Sequence, residues 1–399
     1  MSRHHKDQPI EIRPYTAKDP GFWKAAAALA FGSLLIFAAL YAFQPLLPVF
    51  VEEFEISATA SSLLVSSSVI TMIIGLLVLG FQSDRIGRTA VMKLSLLVTV
   101  VTLLLMPFVH SFWLLILLRS IQGFFLAGIP AAAMGYLADE VKPSSVGMAM
   151  SIYIASNALG GLGGRVASGY LTDLYGWESA LLIMGGFGVL AVVLFYVFLP
   201  PSRFFEPGSG RFMDDLKGMA VHLKDSRLLI LFSVGLVLQV VFTSVWTYLP
   251  FYLLEDPFNL SLKWISLTYF TYGLGVIAPP IAGRLSASYG LIPVMLAGIF
   301  IMIAGVLLTI PASVVIVVIG LSLICTGFFI AHSMASAAVS TTARHHKSGA
   351  SSFYLVSYYI GVAVGSTAVG GLWDAFNWIG ILATVLVFLP VIFLARKLQ

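Results

Sequence analysis

The sequence predicts an all-α membrane protein of twelve spanning helices, built as two parallel six-helix repeats. Three observations carry that reading: an extreme apolar composition, twelve long apolar stretches with a one-sided cation pattern, and an internal repeat. Of 399 residues, 59% are hydrophobic and 10% are charged. Soluble domains run at about 45–50% apolar and about 25% charged. Mean hydropathy is +0.97. So little polar surface cannot cover a water-soluble protein of this size, which excludes soluble enzymes, nucleic-acid binders and disordered chains together. The net charge of +4 therefore reads as cationic loops at a membrane, not as nucleic-acid binding. The single cysteine, Cys325, excludes an intrachain disulfide.

A spanning helix needs about 20 apolar residues. Cutting the chain at charged or turn-rich breaks gives stretches at 23–47, 59–80, 91–109, 112–137, 146–170 and 178–199. Six more follow at 228–253, 264–283, 292–311, 314–340, 349–371 and 377–395. The stretches are continuously apolar and do not alternate, which argues against a barrel. Of the 22 Lys and Arg, nineteen fall before the first stretch, in gaps on its side of the membrane or, as Lys24 and Lys93 do, in the first turn of a stretch that starts on that side. Lys263 alone falls on the opposite side, and Arg119 and Arg165 lie inside stretches. That asymmetry places both termini in the cytoplasm. The first stretch is too long for a signal-peptide core and is expected to be retained. The segment 200–227 is rich in Pro, Gly and charge and divides the stretches six and six. The expected organisation is a cytoplasmic N-terminal segment at 1–22, a first half at 23–199, a cytoplasmic linker at 200–227 and a second half at 228–399.

Residues 151–177 and 352–378 align without a gap at an offset of 201. They share ten identities, among them Gly160/Gly361, Gly164/Gly365, Gly169/Gly370, Asp173/Asp374 and Trp177/Trp378. GFFLAG at 123–128 echoes GFFIAH at 327–332, and Gly80/Gly283 with Gly87/Gly290 form a third pair. Span five therefore matches span eleven, and span four matches span ten. Transporters built from repeats hold substrate near the membrane midplane, between the halves.

Three motifs sit in this frame. After span two the chain reads Gly80-Phe-Gln-Ser-Asp84-Arg85-Ile-Gly87-Arg88. Glycines suit the tight turn, Asp84 is placed to cap the third helix, and Arg85 and Arg88 fall in the headgroup zone. Span four carries Arg119-Ser-Ile-Gln122-Gly123, and span five carries Gly160, Gly164, Arg165, Ser168 and Gly169. An arginine at such depth is costly unless it faces a cavity or finds a partner. Together these motifs resemble those of the major facilitator superfamily: its G-x-x-x-D-R-x-G-R loop, its span-four arginine and its exporters' span-five glycine pattern. Arg165 stands in place of that pattern's proline, which removes the usual kink residue. The second-half loop, Gly283 to Gly290, has Ala287 and Ser288 where Asp and Arg would stand. Tyr41-Ala-Phe-Gln44-Pro45 in span one and the Arg165 variant resemble a bacterial efflux subgroup of drug- and arabinose-export-like permeases.

The resemblance implies alternating access around a central site. Arg119 and Arg165 would bind substrate there, with Tyr41, Gln44, Asn157, Gln239, Trp246, Tyr354 and Tyr358 on the cavity-lining spans. Amphipathic aromatics suit a ligand with an apolar body and a few polar groups. It also implies a cytoplasmic gate of Asp84, Arg85 and Arg88, with Asp139 and Glu140 as candidate partners. All 18 Asp and Glu lie in loops or at span ends. Two deep arginines without a deep carboxylate point to an anionic or zwitterionic substrate, a metal-chelating polycarboxylate being one fit. His332 in span ten is the candidate proton carrier, since an imidazole titrates near neutral pH.

The expected function is proton-coupled export of such a metabolite from a bacterial cytoplasmic membrane. The rivals are a multidrug/proton antiporter for lipophilic compounds and an organic-anion/proton symporter. The expected partners are the substrate, protons and the lipid bilayer, with no nucleic acid and a monomeric state. No enzyme activity, cofactor or metal is expected. Gly186-Phe-Gly188-Val-Leu-Ala191 matches a dinucleotide pattern but lies inside an apolar span with no strand before it. The pairs His4-His5 and His345-His346 read as solvated cytoplasmic residues.

Overall fold

The computed structural model describes residues 13–207, 221–343 and 347–398. The histidine pairs and the middle of the 200–227 linker lie outside them. Among the described residues the chain is helical throughout, apart from one isolated β-bridge between Tyr15 and Val141.

Among the described residues, ten helices are long and apolar enough to cross a membrane. Spans two to six are Ala58–Ile86, Arg88–Phe108, Phe112–Glu140, Pro143–Tyr175 and Trp177–Phe198. Spans seven, eight and ten are Ser226–Leu254, Leu262–Tyr289 and Val314–Thr342. Span nine is the shorter Leu291–Leu307. Span eleven begins at Lys347 and passes through a π-turn at Val364–Ala368. A break at Asn377, with φ of +51°, separates it from span twelve. Asn377 is the repeat partner of Gly176, whose φ is +81°. Both precede the tryptophan that opens the next span.

Span one departs from the expected single stretch. Its helix, Pro20–Tyr41, stops before a turn at 42–46, and a second helix covers Leu47–Phe54. Pro45 has no N–H for the Tyr41 carbonyl, and its ring would collide with that carbonyl. Span five is longer than expected. Pro143 occupies its first turn, where no N–H partner is needed. No kink interrupts its 33 residues, and Gly176 ends it.

Gly87, with φ of +105°, turns the chain from span two into span three in one residue. Gly290, with φ of +88°, does the same between spans eight and nine. L side chains resist this region of φ, so glycine is required at both. Asp84 does not cap span three. It sits in the last turn of span two, and the third helix starts at Arg88 without a side-chain cap.

Small residues let the spans approach closely, as expected where packing rather than water drives helix association. A Cβ on Gly160 would lie 2.5 Å from the Leu34 carbonyl oxygen, and one on Gly164 would strike the Ala38 carbonyl. In the second half, Gly361 and Gly365 meet the carbonyls of Leu236 and Val240 in the same way. Spans one and five thus pack as spans seven and eleven do. Span seven is buried on nearly every face. Spans three, six and twelve turn large apolar side chains outward, including Leu97, Val101, Phe187, Val197, Leu389 and Phe393. Such a surface suits lipid.

An even number of passes puts both chain ends on one face, here called the terminal face; the other is the distal face. Five hydrogen bonds that join the halves lie on the distal side. Thr367 donates to Ser66 at 2.7 Å and accepts from Ser62 at 2.9 Å. Thr59 donates to Asp374, Ser261 reaches Asp173 at 3.5 Å, and Gln44 donates to Thr247 at 3.2 Å.

Candidate functional site

The break in span one organises the candidate site. Where a helix stops, its last carbonyls lose their partners. Arg119 supplies them. Its Nη1 donates to Ala39 O at 3.1 Å and its Nη2 to Leu40 O at 3.1 Å. Nε donates to Leu64 O at 3.0 Å, and the remaining two N–H groups reach Gln122 and Ser68. The guanidinium also lies 4.2 Å from the centre of the Phe43 ring. A guanidinium has five N–H donors, and all five are taken. Arg119 is 0% exposed. It clasps spans one, two and four from within the first half. As it stands here, it offers no donor to a substrate, which departs from the expected binding role.

Arg165 is placed differently. Its Nε donates to Gln44 Oε1 at 2.8 Å and its Nη1 to the Gly161 carbonyl at 2.9 Å. Its remaining three N–H groups have no hydrogen-bond partner among the described residues. The guanidinium stacks over Tyr41 at 3.7 Å, Tyr272 at 4.6 Å and Tyr269 at 5.7 Å. Tyr269 and Tyr272 belong to span eight, so this cation of the first half is boxed by rings of the second. Among the described residues no carboxylate lies within ion-pair distance of it. Aromatic faces attract a cation without neutralising its charge.

The other sequence candidates fall into two groups. Tyr41 and Gln44 touch Arg165 directly, and Gln44 passes the contact on to Thr247 of span seven. Trp246 is 0% exposed and stacks on Tyr269 at 5.0 Å, with Tyr272 at 4.7 Å. Asn157 is held by the Ser33 hydroxyl of span one. Gln239 is buried and accepts from Thr243 at 3.0 Å. Tyr354, Tyr358 and His332 form a second cluster. His332 Nδ1 and the Tyr354 hydroxyl are 2.8 Å apart, and Tyr358 stacks 4.9 Å from the imidazole. Phe328 lies parallel to the same ring at 5.7 Å. Sequence reasoning missed Tyr269 and Tyr272. The run Tyr269-Phe-Thr-Tyr272 was the available signal, a dense aromatic cluster in a span that repeat logic places opposite span five.

On the terminal side, Arg88 pairs with Asp139 at 3.0 Å and Asp84 at 3.5 Å. Arg85 lies over the Phe81 ring at 4.3 Å. Glu140 does not join this cluster as expected. It is fully buried and pairs with Arg203 at 3.0 Å, also accepting the backbone N–H groups of Arg203 and Phe204. Arg203 in turn lies over Tyr15 at 3.7 Å. Glu140 therefore fastens the chain after span six to the N-terminal segment. The Arg88 cluster stays within the first half. No group of three or more His, Cys, Asp or Glu stands close enough to hold a metal ion among the described residues.

Twelve apolar passes, two packed repeats and a polar site between them define a multi-pass membrane transporter. The family model of the Major Facilitator Superfamily matches residues 29–366, and the chain belongs to that superfamily. It is 36% identical to the "Uncharacterized MFS-type transporter YybF" of Bacillus subtilis (strain 168), covering 92% of this chain and 91% of that one. It is also 36% identical to the "Inner membrane transport protein YnfM" of Escherichia coli (strain K12), covering 93% and 89%. Among solved structures, it resembles a bacterial homolog of the human lysosomal transporter Spinster in its inward-facing, unoccupied conformation. The TM-score is 0.79 at 14% identity, over 95% of this chain and 97% of that one. At that identity the likeness is one of fold.

Proposed function

We propose that this transporter exports a small organic anion or zwitterion from a bacterial cytoplasm by proton-coupled alternating access. The observation that carries the proposal is Arg165, a 4% exposed cation between the halves with no carboxylate partner among the described residues. A buried charge left unpaired costs several kcal/mol, and an anionic ligand removes that cost. Two free arginines would suit a polycarboxylate. With Arg119 spent on carbonyls, one cation remains, and a ligand with one net negative charge fits better.

Both termini then face the cytoplasm, as the cation asymmetry requires. The distal hydrogen bonds then close the outer side. His332, hydrogen-bonded to Tyr354, is the proposed proton carrier. The alternative is a multidrug antiporter for lipophilic cations, which would need a deep carboxylate. Every Asp and Glu of the sequence stands in a loop or near a span end.

The test is reconstitution in proteoliposomes with a panel of organic anions, zwitterions and lipophilic cations. Wild type is expected to move anions or zwitterions when a pH gradient is imposed, and Arg165→Gln is not. Transport of lipophilic cations that survives in Arg165→Gln would overturn the proposal and return the protein to the multidrug class.

A further inference from the structure

Trp246 and Tyr272 each carry a polar atom that the fold leaves unserved. The indole N–H of Trp246 and the hydroxyl of Tyr272 are buried, with no hydrogen-bond partner among the described residues. Buried donors in native proteins nearly always have partners, and an orphan calls for an explanation. Neighbouring groups show that partners are available to this region. The Tyr269 hydroxyl reaches the Trp246 carbonyl at 3.5 Å, and the Tyr248 hydroxyl donates to the Ser366 carbonyl at 2.8 Å. The two rings that carry these orphans stand side by side, with centres 4.7 Å apart, and the Tyr272 ring is one of the three that Arg165 lies over.

We infer that Trp246, Tyr272 and Arg165 form one carboxylate-binding pocket, and that the substrate is a monocarboxylate with an apolar or aromatic body. The inference rests on the anion site proposed above and adds the residues that select the head group. Arg165 supplies a charged fork that matches the two oxygens of a carboxylate. Tyr272 and Trp246 supply two neutral donors, so a carboxylate can accept from all three side chains. The box contains one cation and no anion, which sets the ligand's charge at one. Tyr41, half-buried, lies against Arg165 and suits a flat apolar body.

The pocket also spans the two halves. Arg165 comes from span five, Trp246 from span seven and Tyr272 from span eight. A bound carboxylate would join the halves near the midplane, where a ligand can bias which side is open.

The experiment uses the full-length purified protein and reads thermal unfolding against ligand dose. A ligand raises the melting temperature through its affinity for the folded state. The probes are benzoate, its neutral methyl ester, citrate and tetraphenylphosphonium. The variants are Trp246→Phe, Tyr272→Phe and Arg165→Gln. Benzoate is expected to stabilise wild type, with the ester and tetraphenylphosphonium inert and citrate weaker than benzoate. A hydrogen bond to a charged group contributes about 1.5–3 kcal/mol, so each Phe variant should weaken benzoate about tenfold or more. Arg165→Gln should lose the response. Without ligand, Tyr272→Phe should melt no lower than wild type, because it deletes an orphan and keeps the ring.

Benzoate affinity within twofold of wild type in both Phe variants, with the response lost in Arg165→Gln, would overturn this inference and leave the anion site standing. An undiminished response in Arg165→Gln would overturn both. No stabilisation of wild type by benzoate would overturn this inference and leave the anion site to the transport test above. A clear fall in the ligand-free melting temperature of Tyr272→Phe would show that its hydroxyl has a partner, and the pocket would fall with it.

Discussion

Spans five and eleven occupy equivalent places in the repeat and pack on spans one and seven through the same pair of glycines. They differ at the deep cation. Arg165 stands at the position that is Ser366 in span eleven. Span five runs straight through that point, while span eleven opens a π-turn across it at Val364–Ala368. The divergence extends to the neighbouring pair. Span four has Arg119 and Gly128 where span ten has Leu323 and His332. The first half thus holds the deep cations, and the second holds the imidazole and the aromatic box. Positions where backbone meets backbone leave no room for a Cβ, so the two copies agree there. Positions that face the centre are free to differ, and the site is assembled from unlike parts.

The largest effect expected from breaking this comparison is at Arg119. Arg119→Leu gives span four the residue that span ten carries, but span one then keeps its broken end. The carbonyls of Ala39 and Leu40 lose their donors, and Leu64, Gln122 and Ser68 each lose a partner. Each buried acceptor left without its donor costs about 1–3 kcal/mol. The expected result is a large fall in melting temperature or loss of folded protein, whatever ligand is present. Arg119→Lys should not rescue it, because an ammonium has three donors on a flexible stem and cannot span five acceptors. A melting temperature close to wild type in either variant would contradict the clasp.

Next in size are the packing glycines. Gly164→Ala and Gly365→Ala each drive a Cβ into a carbonyl of the facing span. Overpacking of this kind costs about 1–3 kcal/mol, and the two substitutions should cost similar amounts because the contacts are copies. Equal losses in thermal unfolding would support the repeat at the level of packing. A loss in one half only would show that its equivalence stops at the sequence.

These contrasts also mark what could be read from the chain beforehand. The twelve spans were legible because hydrophobic length is written locally, and the repeat was legible because its glycines keep their spacing. Arg165 stood out as a charge in an apolar run. The separate fates of the two arginines were not legible. What decides them is the stop in span one at Pro45, which releases carbonyls on one side of the chain and presents Tyr41 and Gln44 on the other. Pro45 was visible, but the residue that would satisfy those carbonyls lies about eighty positions away. The pairing of Glu140 with Arg203 was hidden for the same reason, at a separation of 63. Tyr269 and Tyr272 were hidden because aromatic residues are ordinary in a spanning helix until a cation is placed against them.

A smaller effect is expected at Thr367, inside the π-turn. Its hydroxyl donates to Ser66 and accepts from Ser62, both on span two. Thr367→Val keeps the shape and removes both bonds. A net loss of about 1 kcal/mol should leave folding intact and move the balance between closed and open distal sides by about fivefold. Distances between spin labels on the distal ends of spans two and eleven would report it, as a broader and longer distribution. An unchanged distribution would mean that apolar contact, not the hydroxyl, holds the seam.

The smallest effect is expected in the terminal-side ion cluster, where the second half lacks the charges. Arg88 holds Asp139 and Asp84, while Ala287 and Ser288 occupy the second-half positions equivalent to Asp84 and Arg85. The second half turns through Gly290 just as the first turns through Gly87, so the turn itself does not need the charges. The Asp139 and Asp84 side chains are 25% and 61% exposed, and pairs of that exposure contribute about 0–1 kcal/mol. Asp139→Asn should therefore lower the melting temperature only slightly, and Asp84→Asn less still. If the cluster acts as a latch on the terminal side, Asp139→Asn should change transport rate at saturating substrate with little change in ligand affinity. Equal changes in both would make it part of the substrate path instead, and no change in either would reduce it to a surface ion pair.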